Sequence, residues 1–318
     1  MTHNVLVLGG TGFVGRAVCE QLVESGGGAG GKVIVPTRRI MRGRVIQMLP
    51  GVLPVQADVH DEATLGRLVG GADAVISLVA QLHGDEADFE RAHVELPRRL
   101  VAACRASGVR RVIHVSALGA DTNAPSRYLR SKARGEAVLR ESGLDVTILR
   151  PSVIFGAGDR LLNLFARLQA VFPVMPLGGA DSRYQPVWVD DVARAIVLAL
   201  DRQETIGETI ECVGPRTMTL RDLVELAGRL AGRPRRVIAL PDGLARLQAL
   251  ALELLPGEPL MSRDNLDSMK VASVASGRLP GLDRLGIRPA DIVSVAPGYL
   301  GPQAGPARLD PWRARRST

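Results

Sequence analysis

The stretch Val5-Leu6-Val7-Leu8-Gly9-Gly10-Thr11-Gly12-Phe13-Val14-Gly15 runs an apolar segment straight into a glycine-rich turn. Phe13, Val14, Ala17, Val18 and Leu22 then recur at helical spacing, so the turn joins a buried strand to a helix. Glycines let the backbone turn tightly and come close to a bound group, while the first N–H groups of a helix have no internal partner and point at an anion. The segment therefore reads as a pyrophosphate cradle, with Gly9, Thr11, Gly12, Phe13, Val14 and Gly15 as candidate dinucleotide contacts.

Working outward, residues 26–31 form a glycine-rich loop, and apolar runs at 33–35, 52–55, 74–79, 112–116 and 146–149 read as further strands. Such continuous runs suit parallel strands buried on both faces. A helix over residues 90–107, started or kinked at Pro97, and a second over 128–142 separate the later strands. Six strands alternating with helices predict an α/β fold, a Rossmann-type doubly wound parallel sheet, with ligands at the carboxyl ends of the strands.

Beyond Pro151 the pattern loosens, through Pro173, Pro176 and Gly178-Gly179. The expected organisation is a nucleotide-binding domain over 1–160, to which 184–204 return, and a smaller C-terminal α/β substrate or docking domain over 161–183 and 205–300. Thr219 is expected to cap a helix with Asp222 at its third position. Residues 245–255 are apolar on most sides and read as a helix packed on the smaller domain in preference to a membrane-surface helix. Residues 301–318, rich in Pro, Ala and Arg, are expected to be a disordered basic tail.

Composition bounds the function. Of the 318 residues 46% are hydrophobic and only 3% aromatic, so the core is aliphatic and alanine-rich. Arg308, Arg313, Arg315 and Arg316 against Asp310 concentrate much of the +7 charge in the tail, and no aromatic interleaving supports nucleic-acid binding. Cys19, Cys104 and Cys212 are odd in number and far apart, with no spacing for a disulfide framework or a metal site, and read as small buried residues. No secretory pattern precedes the first strand and no apolar stretch reaches the ~20 residues that span a bilayer, so a cytoplasmic protein is expected. The apolar 244–255 stretch and the basic tail are compatible with a peripheral station on the inner face of the membrane.

A catalytic constellation emerges from Ser116 at the end of the fifth strand and from Tyr128 and Lys132 at Tyr-x-x-x-Lys spacing. Four residues apart on a helix, the last two share a face. A lysine ammonium beside a phenol favours the phenolate and lowers its pKa from ~10, so that tyrosine exchanges a proton with a substrate oxygen near neutral pH. Ser116 hydrogen-bonds the same oxygen, and Lys132 is also placed to bind ribose hydroxyls. Arg130 and Arg134 interleave on other faces and read as solvated.

The glycine turn, Gln56-Ala57-Asp58-Val59-His60-Asp61, His114-Val115-Ser116-Ala117-Leu118-Gly119-Ala120, Tyr128-Leu129-Arg130-Ser131-Lys132 and Leu149-Arg150-Pro151-Ser152-Val153-Ile154-Phe155-Gly156 together resemble the extended and atypical short-chain dehydrogenase/reductase superfamily. Within it the chain is similar to the family of the 39 kDa accessory subunit of respiratory complex I and its free-standing bacterial relatives. The resemblance runs on through Gln185-Pro186-Val187-Trp188-Val189-Asp190-Asp191 and Leu285-Gly286-Ile287. It implies that Asp58 contacts the adenine, that Val79 and Ala80 flank the cofactor, and that Pro151, Ser152 and Val153 lie near the nicotinamide. It also implies a role as a structural, cofactor-holding component of a respiratory complex.

One position bears on the cofactor. NAD-specific folds usually place Asp or Glu at the end of the second strand, whereas this chain has Val35-Pro36-Thr37-Arg38-Arg39. Thr37, Arg38 and Arg39 suit a 2′-phosphate, so NADP(H) is preferred over NAD(H). Two functions stay open: an NADP(H)-dependent oxidoreductase acting on a small-molecule substrate, whose residues also serve epimerase or dehydratase chemistry, and a non-catalytic cofactor-bound module that docks on a respiratory complex or assists its assembly or quinone handling.

Overall fold

The computed structural model describes residues 4–27, 31–254, 257 and 259–301. The strands in chain order are β1 (Val5–Leu8), β2 (Val33–Thr37), β3 (Val52–Gln56), β4 (Ala74–Ser77), β5 (Arg111–Val115), β6 (Asp145–Pro151), β7 (Ile154–Phe155), β8 (Val174–Leu177), β9 (Arg183–Tyr184), β10 (Val187–Trp188), β11 (Thr209–Cys212), β12 (Met218–Thr219) and β13 (Arg236–Ala239). The main helices are α1 (Phe13–Leu22), α2 (Glu62–Val69), α3 (Glu86–Glu90), α4 (Leu96–Ser107), α5 (Arg127–Arg140), α6 (Leu161–Val171), α7 (Val189–Asp201), α8 (Leu220–Leu230) and α9 (Asp242–Glu253).

The chain divides into two units. The first comprises Met1–Pro151, Val189–Cys212 and Ala275–Arg288; the second comprises Ser152–Trp188, Val213–Val274 and Pro289–Thr318. The sequence patterns placed residues 205–212 and 275–288 in the smaller domain, but β11 pairs in parallel with β6 and belongs to the first unit. A four-residue strand following a turn at 203–208 carried too weak a pattern to be separated from its surroundings. The tail at 302–318 and residues 28–30 of the glycine-rich loop lie outside the described residues.

In the first unit, seven parallel strands follow the order β11-β6-β5-β4-β1-β2-β3. The chain steps outward from β1 to β3, then returns to place β4 on the other side of β1. That reversal leaves a crevice at the carboxyl ends of β1 and β4, where ligands bind in such sheets. Leu6, Leu8, Val75 and Val112 from the strands and Leu65, Leu100, Cys104 and Leu139 from α2, α4 and α5 form one buried layer. Each fully buried leucine contributes about 1.5–3 kcal/mol. Helices α1 and α7 pack on each other.

Residues 86–107, expected from 90 onward as one helix, form α3, a wide turn over Arg91–Glu95 with i to i+5 bonding, and then α4, with Pro97 in its first turn. The wide turn carries His93 into the interior, where it is 2% exposed. Helix α5 comes so close that a Cβ on Gly135 would overlap the His93 carbonyl oxygen.

The next residue fixes α5 from its other side. Glu136 is fully buried and accepts from Arg150 Nε (2.8 Å) and Nη2 (2.6 Å) on β6 and from Arg140 Nη2 (2.7 Å). Arg140 also donates to Thr209 on β11 (3.0 Å), so Glu136 ties α5 to β6 and Arg140 ties it to β11. Arg130, read as solvated, donates to the carbonyls of Ala124 and Pro125, and Arg134 pairs with Glu90 at 3.0 Å. Glu136, Arg140, Arg130 and Arg134, all on α5, therefore help to hold the helix in place.

The second unit has its own core, in which Phe155, Leu162, Phe165, Leu223, Val224 and Ala227 pack with β8 and β13 paired in parallel. Thr219 and Asp222 cap α8 reciprocally. Helix α9 buries only Ala245 and Ala249, while Leu244, Leu247 and Leu254 are more than half exposed.

Because Arg150 is 18% exposed at its side chain, removing its partner strands a buried cation. Glu136→Ala is expected to cost about 3–5 kcal/mol of stability in urea unfolding.

Candidate functional site

The glycine turn is shaped by three separate close approaches. Gly9 has φ +87°, and a Cβ there would lie 3.1 Å from Leu78 C and 3.2 Å from Val79 N, at the exit of β4. A Cβ on Gly10 would sit 2.7 Å from Val35 Cγ1 on β2, and one on Gly15 would overlap Gly9 O and the Gly10 main chain. The turn closes through Gly12 N–H to Gly9 O (3.0 Å), and α1 starts with Arg16 N–H to Gly12 O (3.0 Å). Helix α1 has Gly12 as N-cap, no side-chain cap and no acidic residue in its first turn, whereas Asp61, Ser126 and Thr219 cap α2, α5 and α8. The first-turn N–H groups next to Thr11, Phe13 and Val14 are thereby left to an outside acceptor. A turn so closely packed that it admits no side chain at Gly9, Gly10 or Gly15, followed by an uncapped helix start, fits a pyrophosphate.

At the end of β2, Thr37 is buried and its Oγ1 donates to Arg39 O (3.2 Å). The hydroxyl expected to meet a 2′-phosphate thus bends the chain. Arg38 and Arg39 are exposed, and neither makes an ion pair among the described residues. Asp58, after β3, is exposed and accepts from His60 N–H (3.0 Å), the geometry of a turn-forming aspartate. Val79 is half-buried and Ala80 exposed after β4, beside Gly9.

Ser116 follows β5, anchored by its N–H to Leu149 O (2.8 Å). Its side chain is 4% exposed, and its Oγ has no hydrogen-bond partner among the described residues. Ser126 Oγ accepts from Leu129 N–H (3.2 Å) and so sets the start of α5, placing Tyr128 in its first turn and Lys132 one turn on. The Lys132 ammonium is buried and donates to Val115 O (3.0 Å), at the strand end next to Ser116. Burial brings its pKa down to about 8, with Glu136 opposing.

The expected lowering of the Tyr128 pKa is not what the structure gives. The ring is half-buried, edge-on to His93 (centroids 5.5 Å apart, 79°) and Phe89 (6.2 Å, 66°), and burial pushes the phenol up to about 12. Desolvation of the phenolate outweighs the Lys132 charge, which is directed to the Val115 carbonyl. Tyr128 is therefore held as a phenol.

Two histidines lie behind this face, and neither was singled out from the sequence. His114 on β5 is 3% exposed with both ring nitrogens unpartnered among the described residues, and burial followed by the Lys132 charge pushes it down to about 3. His93 Nδ1 lies 2.8 Å from Ser131 Oγ, and its Nε2 accepts from Gln81 N–H (3.0 Å). No spacing rule marks either one: the partners of His93 stand 12 and 38 residues away, and His114 is distinguished by its burial alone.

Pro151 ends β6, and its carbonyl accepts from Leu118 N–H (3.0 Å). Ser152 and Val153 fall in the second unit, where Ser152 Oγ donates to Ser273 O (2.6 Å) and Val153 O accepts from Val187 N–H (3.0 Å). The three buried cysteines are free thiols.

The comparisons with known proteins agree with this architecture. The model of the NAD dependent epimerase/dehydratase family matches residues 5–212. NADH dehydrogenase (ubiquinone) 1 alpha subcomplex subunit 9 of Mus musculus mitochondria is 33% identical over 293 residues, covering 90% of this chain and 76% of that protein. Ceramide reductase of Caulobacter vibrioides is 30% identical over 245 residues, covering 75% and 74%. The crystal structure of an NADPH-dependent quinone oxidoreductase from Escherichia coli, complexed with NADPH, superposes with a TM-score of 0.72 over 92% of this chain and 98% of that one, at 19% identity, a likeness of fold. The match runs from the first strand through the last strand of the parallel sheet, and the chain belongs to the NAD dependent epimerase/dehydratase family, with complex I subunits and bacterial reductases among its relatives.

Proposed function

We propose that the protein is an NAD(P)(H)-dependent oxidoreductase acting on a small carbonyl or alcohol substrate, with Ser116, Tyr128 and Lys132 as its catalytic residues. The observation that carries the reading is the Ser116 hydroxyl, buried and without a partner among the described residues at the carboxyl end of β5. A buried hydroxyl left unsatisfied costs roughly 1–3 kcal/mol, and a substrate oxygen removes that cost. The glycine turn, the start of α1 and Arg38 and Arg39 would hold the dinucleotide, which supplies the hydride. Tyr128, kept protonated by burial, donates its phenolic proton to the substrate oxygen as a carbonyl is reduced. Ser116 Oγ donates a hydrogen bond to that oxygen and orients it. Lys132, one turn along the same helix face, carries a proton that a pKa of about 8 lets it release near neutral pH.

NADP(H) is favoured over NAD(H) by the two exposed, unpaired guanidinium groups of Arg38 and Arg39 at the end of β2 and by the absence of an acidic residue in Val33–Thr37.

A second reading is favoured by a different observation. Leu244 and Leu247 on α9 and Leu254 at its C-terminal cap are 55%, 62% and 79% exposed, an apolar stripe opposite the buried Ala245 and Ala249. An exposed stripe of that kind suits docking on a partner or a membrane surface. Together with the relationship to a complex I subunit, it supports a non-catalytic accessory or assembly role at a respiratory complex. Co-purification from native membranes tests it: recovery with respiratory subunits, lost in a Leu247→Glu/Leu254→Glu variant, is expected, and a wholly soluble monomer counts against it.

With carbonyl substrates, Tyr128→Phe is expected to lower kcat/KM by about 100- to 10,000-fold while leaving dinucleotide affinity intact; equal rates remove Tyr128 from the chemistry. Reduction consumes a proton, so its rate is expected to fall as pH rises through about 8, where Lys132 loses its own. In direct titration NADPH binds more tightly than NADH, and Arg38→Ala/Arg39→Ala erases the difference; tighter NADH binding in the unsubstituted protein overturns the preference.

A further inference from the structure

The chain leaving β4 borders the glycine turn, since a Cβ on Gly9 would press on Leu78 and Val79. After Leu78, whose N–H donates to Leu8 O (2.9 Å), residues 79–82 make no main-chain-to-main-chain hydrogen bond among the described residues until Asp85 caps α3. Two side chains hold this stretch: the Gln81 amide Nε2 donates to His83 O within the loop itself (2.7 Å), and His93 Nε2, accepting from the Gln81 N–H (3.0 Å), ties the loop to the turn over Arg91–Glu95. We propose that His93 is a positioning residue for dinucleotide binding, pinning the Gln81 main chain so that the loop after β4 keeps its place beside the glycine turn. The proposal rests on the dinucleotide reading of that turn and not on the chemistry assigned to Tyr128.

The hydrogen-bond chain runs in one direction. A main-chain N–H can only donate, so Nε2 carries no proton and the imidazole proton lies on Nδ1. Nδ1–H then donates to Ser131 Oγ (2.8 Å), whose own proton goes to Tyr128 O (2.8 Å) in the first turn of α5. One imidazole thereby connects the cofactor loop to the helix that carries Tyr128 and Lys132. Protonation at Nε2 would set two donors face to face, and the ring is protected from it: burial, then the charges of Lys132 and His114, push it down to about 2.

The surrounding fold presents this ring with unusual backbone. The wide turn over Arg91–Glu95, a feature that recurs at functional sites, brings His93 into the interior between α3 and α4. The ring stacks on Phe89 (5.8 Å, 26°), meets Tyr128 edge-on, and is approached by α5 only because residue 135 lacks a Cβ. A loop fixed in this way is ordered before the ligand arrives, so binding does not bear the cost of ordering it.

Three substitutions separate pinning from mere filling of the core. A glutamine side chain places its carbonyl oxygen where Nε2 stands and can accept from Gln81 N–H; an asparagine reaches only to the Nδ1 position; a leucine does neither. In titrations of the purified full chain with NADPH and NADH, His93→Asn and His93→Leu are expected to weaken the tighter dinucleotide about tenfold, near 1.4 kcal/mol, while His93→Gln stays within about twofold of the parent. A purely structural role would move Gln and Asn alike, so equal losses in those two, or parent-like binding by all three, overturn the proposal. Gln81→Pro deletes the main-chain donor and, with it, the Gln81 Nε2 bond to His83 O, whereas Gln81→Ala deletes that side-chain bond alone. Gln81→Pro is expected to match His93→Asn and Gln81→Ala to stay near the parent, and equal binding by these two overturns the proposal should the His93 variants fail to fold. An unsubstituted protein that binds neither dinucleotide overturns both the pin and the cofactor reading, whereas loss of Tyr128-dependent turnover with the pin intact leaves this one standing.

Discussion

Three backbone segments meet at residues 9, 10 and 15 with no room for a side chain between them. The end of β1, the start of α1 and the exit of β4 crowd together at Gly9 and Gly15, and β2 closes in on Gly10 through Val35. This crowding places the uncapped start of α1 at the crevice where the strand order reverses. Without it the helix N–H groups would point at solvent, and the open sheet would have no anion site at its switch point.

Helix α5 is the other half of that site, and its placement is a matter of packing and buried charge. Gly135 lets it reach the turn that carries His93, and the fully buried Glu136 fastens it to Arg150 on β6. Such a carboxylate adds little net stability over an apolar replacement, yet it is exacting about position, because a shifted helix would strand a charge. Position is what the proposed roles of Tyr128 and Lys132 require. The same burial reverses a simple electrostatic expectation: Lys132 is eased down and Tyr128 pushed up, so the proton resides on the phenol, as suits a donor to a carbonyl oxygen.

The relatives span both sides of a functional divide, a subunit of a respiratory enzyme and a reductase, over most of the chain. The features that bear on the two roles are spread unevenly. The unpartnered hydroxyl, the buried lysine and the held phenol belong to the first unit, whereas the exposed leucines of α9 belong to the second. A family fold can thus keep a complete dinucleotide cradle while its second unit varies what the protein meets.

The strands of the first unit, the glycine turn and the capping of α8 were legible in the sequence because each is written in neighbouring residues: an apolar run, a glycine spacing, a threonine three places before an aspartate. The spacing that puts Tyr128 and Lys132 one turn apart on a helix was legible for the same reason. The return of β11 to the sheet and the contacts of His93 and Arg150 were not, since each depends on a partner far along the chain. Thr37 shows the distinction at a single residue: its hydroxyl suggested a phosphate contact by type, and the fold spent it on the Arg39 carbonyl. The sequence by itself determined which backbone could turn, where helices begin and which side chains carry protons. Tertiary structure decided which of those groups are desolvated and which are left without a partner, because burial and hydrogen-bond satisfaction are properties of what surrounds a residue in space.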